Sequence, residues 1–369
     1  MKGNTLCGLV AAALLALSAS ASHAADAYGL EKGTPELQSA SVLAFGPDGI
    51  LFIGDTKAAR IVAVQTGEKS GDPDKVSVAI DGLNVKIAEL LGADSGSVEI
   101  ADLAVSPLSG AIFVSVSGPD GPALVRISPD GELSEFAMQD VPYSSVDLPS
   151  PPPDEVVGEG RRRRNQRSDA ITDLAFAEGQ LLVSGLSTRG SPSHVWSFAF
   201  PFAEDNAGAS LEIYHGAHGR EEDYAAMRTF VPFIVDGEPN LLAGFVCTPL
   251  VRFPLSEIET GEIRGTTVAE LGNRNRPLDM IAYRKDGEDY LLMINSNPER
   301  GTMKISTADL AENAGINERV EGGGTAGQPF EKIEELAGAI QLDRLGEEHA
   351  VVIIQSEGGD TTLKTIELP

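Results

Sequence analysis

Cysteine is nearly absent from this chain. Its 369 residues contain two, Cys7 and Cys247. Only Cys247 lies beyond the first two dozen residues, so no intrachain disulfide can staple the fold. Positive charge is also scarce: 28 Lys and Arg stand against 55 Asp and Glu, a net charge of −27. A surface this acidic repels nucleic acid and anionic membranes, so neither is an expected partner. The plain consequence of such charge is solubility. Long apolar runs are missing apart from Gly8 to Leu17, which is too short to span a bilayer as a helix. The chain has no heme-attachment motif, no glycine-rich phosphate loop and no G-x-S-x-G nucleophile elbow.

The N-terminal run has the layout of a leader. Lys2 precedes it, and Ser22-His23-Ala24 follows with small residues at both positions that a signal peptidase inspects. We expect cleavage after Ala24, export, and a periplasmic or secreted protein. Cys7 lies before the apolar run, on the wrong side for a lipoprotein cleavage site. Residues 25–369 are then expected to form one domain, a size that closed β architectures often reach.

A single phrase recurs six times in that domain: apolar strand, tight turn, apolar strand, polar gap, third strand. The turns are Gly46-Pro47-Asp48-Gly49, Pro107-Leu108-Ser109-Gly110, Ala177-Glu178-Gly179, Val235-Asp236-Gly237, Lys285-Asp286-Gly287 and Arg344-Leu345-Gly346. Weaker fourth strands follow several units, at VSVAI from Val76, LEIYH from Leu211 and ERVEG from Glu318 among others. Six such units predict an all-β, six-bladed β-propeller. The sixth unit lacks a fourth strand, and the expected supplier is the mature N-terminus, within Ala27 to Gln38. Closure of that kind removes exposed strand edges. A seven-bladed ring is the alternative, needing a further blade within Thr66 to Ile100. There VKIAELLGA instead reads as a short helix.

The phrases GPDGILFIGD and SPDGEL resemble the strand–turn–strand phrases of six-bladed propellers of the NHL-repeat and senescence-marker-protein/gluconolactonase type. The resemblance covers nearly the whole mature chain, at the level of architecture. It implies a six-bladed ring. In the gluconolactonases it also implies a divalent metal at the channel mouth, held by acidic and Asn residues. The pattern around the acids here does not match that family's closely enough to carry over its catalytic residues.

Sorting unusual residues by loop type assigns many to one face. The loop entering the third repeat holds Arg161 to Arg164 and Arg167. The loop entering the fourth holds His215, His218 and Arg220, with Arg228 at its end, and the loop entering the fifth holds Arg274 and Arg276. His194 maps to the same face. Arginine's planar fork suits carboxylate and phosphate. The expectation is a binding module for an anionic small molecule or an acidic protein surface, using Arg274, Arg276, His215, His218, Arg220 and Arg228.

Two other readings stay open. Asp102, Asp173 and Asp279 hold equivalent places at the start of the first strand, with Val42, Thr229 and Gly338 near that place in the other repeats. These acids can converge on Ca²⁺ or another divalent cation, as in a metal-dependent hydrolase of the lactonase or esterase kind, or accept backbone N–H bonds that lock blade entry. Cys247, with His215 and His218, can form a copper or zinc site or a Cys–His nucleophile pair. A buried small hydrophobe is the plain reading of Cys247.

Overall fold

The computed structural model describes residues 27–160, 163–203, 206–247 and 249–369. The leader, Arg161, Arg162 and Thr248 fall outside the described residues. Six of the seven sheets among the described residues are largely antiparallel blades, each with the strand–turn–strand phrase at its heart; the seventh is a two-stranded ribbon of Val156–Val157 and Arg164–Asn165. In three blades the turn is two residues long, Glu178-Gly179, Asp236-Gly237 and Asp286-Gly287. Both turn residues have positive φ in each case. That backbone matches the right-handed twist of the flanking strands, so each phrase closes as a tight hairpin.

The blades, numbered in chain order, start on the inner strands Val42–Phe45, Glu99–Val105, Asp173–Ala177, Thr229–Val235, Pro277–Lys285 and Ala339–Leu345. Six apolar clusters hold them together, and each cluster is shared by two neighbouring blades. The pairs are 1 with 3, 2 with 6, 3 with 4, 4 with 5, 1 with 2, and 5 with 6. Contacts between inner strands give the same neighbours. The circle therefore runs 3–4–5–6–2–1 and back to 3. It is six-bladed, as the repeat predicts, but blades 1 and 2 are interchanged relative to chain order.

Interlaced outer strands produce the interchange. Arg60–Gln65, the third strand of blade 1, does not lead to that blade's own edge. The chain passes under blade 2, where the Gly71 N–H donates to Leu108 O at 2.7 Å and Glu68 pairs with Arg126 at 2.5 Å. It then adds Ala79–Asp81 to Thr361–Glu367 at the edge of blade 6. The helix Leu83–Leu91 follows and blade 2 begins. After blade 2 the chain returns to complete blade 1 with Val141–Asp147.

This corrects the expected closure. The N-terminal strand Glu31–Gly33 pairs with Val141–Asp147 as an extra outer strand of blade 1. The sixth blade is completed from inside the chain, because Ile80 enters the cluster of Leu83, Ile87, Val351 and Leu363. Two fourth-strand expectations shift with it. The VSVAI run serves blade 6, and blade 5 ends on Phe330–Ile333 rather than ERVEG.

Candidate functional site

The inner strands enclose a central channel. Asp102, Asp173 and Asp279 stand at its waist, lining both a cavity of about 240 Å³ at the loop-bearing entry face and a chamber of about 670 Å³ reaching the hairpin turns on the other face. Each carboxylate joins two blades. Asp102 accepts the Leu43 N–H at 2.7 Å, Asp173 accepts the Phe230 N–H at 2.8 Å, and Asp279 accepts the Leu342 N–H at 2.8 Å. The second oxygen of each takes the N–H of its own next residue, Leu103, Leu174 or Met280.

Sequence reading missed two members of this ring. A strand irregularity aligns Gln341, not Gly338, with Asp102 and Asp279, and its Nε2 donates to Ala101 O at 2.8 Å. Asp343, two residues further on, accepts the Val105 N–H at 2.7 Å. A break in the alternation at Ala339–Gln341 is the signal that would have found both. Each link points the same way round, from 3 to 4, 5 to 6, 6 to 2 and 2 to 1.

Protein surrounds these four Asp side chains except toward the lumen, so each is half-buried by area and strongly desolvated. Desolvation raises Asp173 to about 7 and Asp343 to about 6, against the lowering effect of their N–H bonds. It raises Asp102 and Asp279 well above the ordinary range, and the neighbouring Asp carboxylates push both further.

Above the waist, the segments entering blades 3, 4 and 5 bring Asp169, Arg228 and Arg276 to the mouth. Close approach of backbone makes this possible. Gly185 lies against Ala170 O where any Cβ would collide, so the Asp169 segment can settle onto blade 3. Arg228 Nη1 donates to Asp169 at 2.7 Å, while its Nε is buried without a hydrogen-bond partner. Arg276 is exposed and has no ion pair among the described residues. Desolvation, then the charge of Arg228, lower its pKa. Arg228 thus holds the Asp169 carboxylate, whose charge reaches Arg276 without an ion pair.

The other predicted residues lie elsewhere. Arg274 sits in a left-handed turn (φ 60°), facing solvent. Cys247, also left-handed (φ 64°), donates its N–H to Asn275 O at 2.8 Å. His194 is buried against Trp196, and burial lowers it to about 4. His215 and His218 lie between the outer strands of blades 3 and 4. A tight hairpin ending in Gly219 (φ 66°) folds His218 back over His215, with ring centroids 3.8 Å apart. Their Nδ1 atoms meet Glu222 at 2.9 and 2.7 Å, and Arg220 Nε donates to the same carboxylate at 2.9 Å. Burial opposes ionisation of Glu222, but these hydrogen bonds outweigh it and bring it to about 2. Burial lowers His215, against the pull of Glu222, and raises Glu270 alongside to about 7. Glu222 escaped notice because the run Arg220-Glu221-Glu222 reads as a solvated strand; its alternation, with Glu221 out and Glu222 in, is the cue.

No family model matches the chain, and no curated protein does. Among solved structures it is similar to the PQQ-bound aldose sugar dehydrogenase of Streptomyces coelicolor, at 14% identity, covering 92% of this chain and 96% of that one with a TM-score of 0.34. It is also similar to Drosophila Plexin A in complex with Semaphorin 1b, at 10% identity over 92% and 87% with a TM-score of 0.38. The WD40 propeller domain of Doa1 gives 8% identity over 91% and 96% and a TM-score of 0.34. Likeness at this level carries no weight for what the chain binds. The propeller assignment stands on the sheets and their circular order.

Proposed function

We propose that this propeller is an exported binding protein that holds a small anionic molecule at its channel mouth, with Arg228 and Arg276 gripping a carboxylate or phosphate group. One observation carries the reading. In a strongly acidic protein, two guanidinium groups line one cavity; Arg228 pairs with Asp169 and keeps an unpartnered Nε, while Arg276 has no ion pair among the described residues. Arginine forks suit planar anions. A mouth of about 240 Å³ lies below the roughly 300–1,000 Å³ of drug-sized sites, which favours a small ligand over a protein surface. Burial favours the neutral forms of the carboxyls below, which lessens the negative charge beneath the mouth. The Asp oxygens are engaged as latches between blades, which favours binding over the hydrolase reading.

Calorimetric titration of the purified full chain with phosphate and citrate tests this. Saturable binding that weakens with added salt is expected, and Arg276→Ala should weaken it about 10–100-fold, the loss of a charge-assisted pair. Absence of saturable binding, or equal binding by the variant, sinks the reading. Export rests on the leader; mass spectrometry of the processed protein should find Ala25 first, and an intact leader would count against it.

A further inference from the structure

We propose that His215, His218 and Glu222 form a binding site for one divalent transition-metal ion, of the zinc, cobalt or nickel class, independent of the channel. Among the described residues this is the group of His, Cys, Asp or Glu side chains whose ligand atoms all lie within 4.8 Å of one another. The contacts are two Nδ1 atoms 2.9 and 2.7 Å from the two oxygens of one carboxylate. An ion with bonds of about 2.0–2.2 Å in tetrahedral geometry needs these edges opened to roughly 3.4 Å, a small shift for a hairpin turn. Two imidazoles and a carboxylate favour a borderline transition metal over calcium, which prefers an all-oxygen shell.

A second, independent observation points to a missing group. His215 is 2% exposed, and its Nε2 has no hydrogen-bond partner; neither has Oε2 of the neighbouring Glu270. Buried polar atoms are normally satisfied, and a metal at Nδ1 would give the orphaned Nε2 a proton to donate, with an unpartnered carboxylate oxygen at the same turn to accept it, as for a metal-bound imidazole. Metal at Nδ1 moves each imidazole proton to Nε2, so the chemistry balances as a tautomer change with no net proton loss. His218, with 38% of its side chain exposed, provides the entry path and leaves room for water to complete the coordination. Arg220, 61% exposed, is free to swing away from Glu222, and its positive charge opposes the ion. Cys247 lies outside the group, so the set differs from the Cys–His pairing the sequence raises.

The test is titration of chelator-treated full-length protein with Co²⁺, followed by visible absorption, with Zn²⁺ competition. One equivalent should bind with a tetrahedral spectrum. Glu222→Gln and His218→Ala should weaken binding about 100-fold or more, Arg220→Ala should tighten it, and Cys247→Ser should leave it unchanged. His218 is exposed enough that its variant should keep the wild-type circular dichroism. Failure of folded wild-type protein to bind Co²⁺ or Zn²⁺ saturably, wild-type binding by His218→Ala, or loss of binding in Cys247→Ser would each overturn the proposal.

Discussion

Asp173 makes stability depend on pH in a direction opposite to an ordinary surface carboxylate. Burial raises its pKa in the folded protein to about 7, while the unfolded chain ionises near 3.9. Between these values the folded state holds a proton that the unfolded state has released. The stabilisation from this group is therefore full below about pH 4 and declines as pH rises through about 7. Between pH 5 and pH 7.5 the loss works out at about 2.5 kcal/mol, and about 1–2.5 kcal/mol once water in the lumen is allowed for. His194 and His215, both lowered by burial, oppose this trend below pH 6.5, so the wild-type slope alone does not isolate it. The comparison with Asp173→Asn does, because the amide does not titrate. Urea unfolding of both proteins at pH 5 and pH 7.5 should show the wild type losing that much more than the variant. Equal changes in the two proteins would refute the reasoning about the channel carboxyls.

Two further outcomes follow from the same geometry. Asp169→Asn removes the carboxylate that competes for Arg228 and Arg276, so phosphate or citrate should bind severalfold more tightly; weaker binding by calorimetry would show that Asp169 positions Arg228 rather than competing with ligand. Ile80→Asp places a charge in the seam between blades 2 and 6, where Ile80 is 5% exposed. It should cost at least about 3–5 kcal/mol and lower the thermal midpoint sharply, whereas a near-neutral effect would mean that Ala79–Asp81 does not close the ring.

Blade number and hairpin positions were legible because each repeat encodes local structure: alternating strands around a turn whose Asp-Gly or Glu-Gly accepts positive φ. Circular order was not. It depends on which free edge a three-residue strand, Ala79–Asp81, occupies across most of the chain, and so short a segment carries no pattern naming its partner. The candidate site residues divide in the same way. Repeat register placed Asp102, Asp173 and Asp279 together, since equivalent positions of a ring must converge. It could not place Asp343, which sits beyond a strand irregularity, nor pair Arg228 with Asp169 from another blade. It also merged Arg276 and His218 into one face, although one lies at the channel mouth and the other at the rim between blades 3 and 4. Loop type fixes the face, while distance from the axis depends on how each loop folds. Cys247 and His218 are both close to blade 4 in sequence, but left-handed backbone and a hydrogen bond to Asn275 hold Cys247 on a separate loop.

The most direct test of the anion site is a crystal of the full chain soaked in bromide or selenate and located by anomalous scattering. A strong site is expected at the channel mouth, bridged by Arg228 and Arg276 and lost in Arg276→Ala. Anomalous density confined to other surfaces, with the mouth empty at saturating anion, would contradict it.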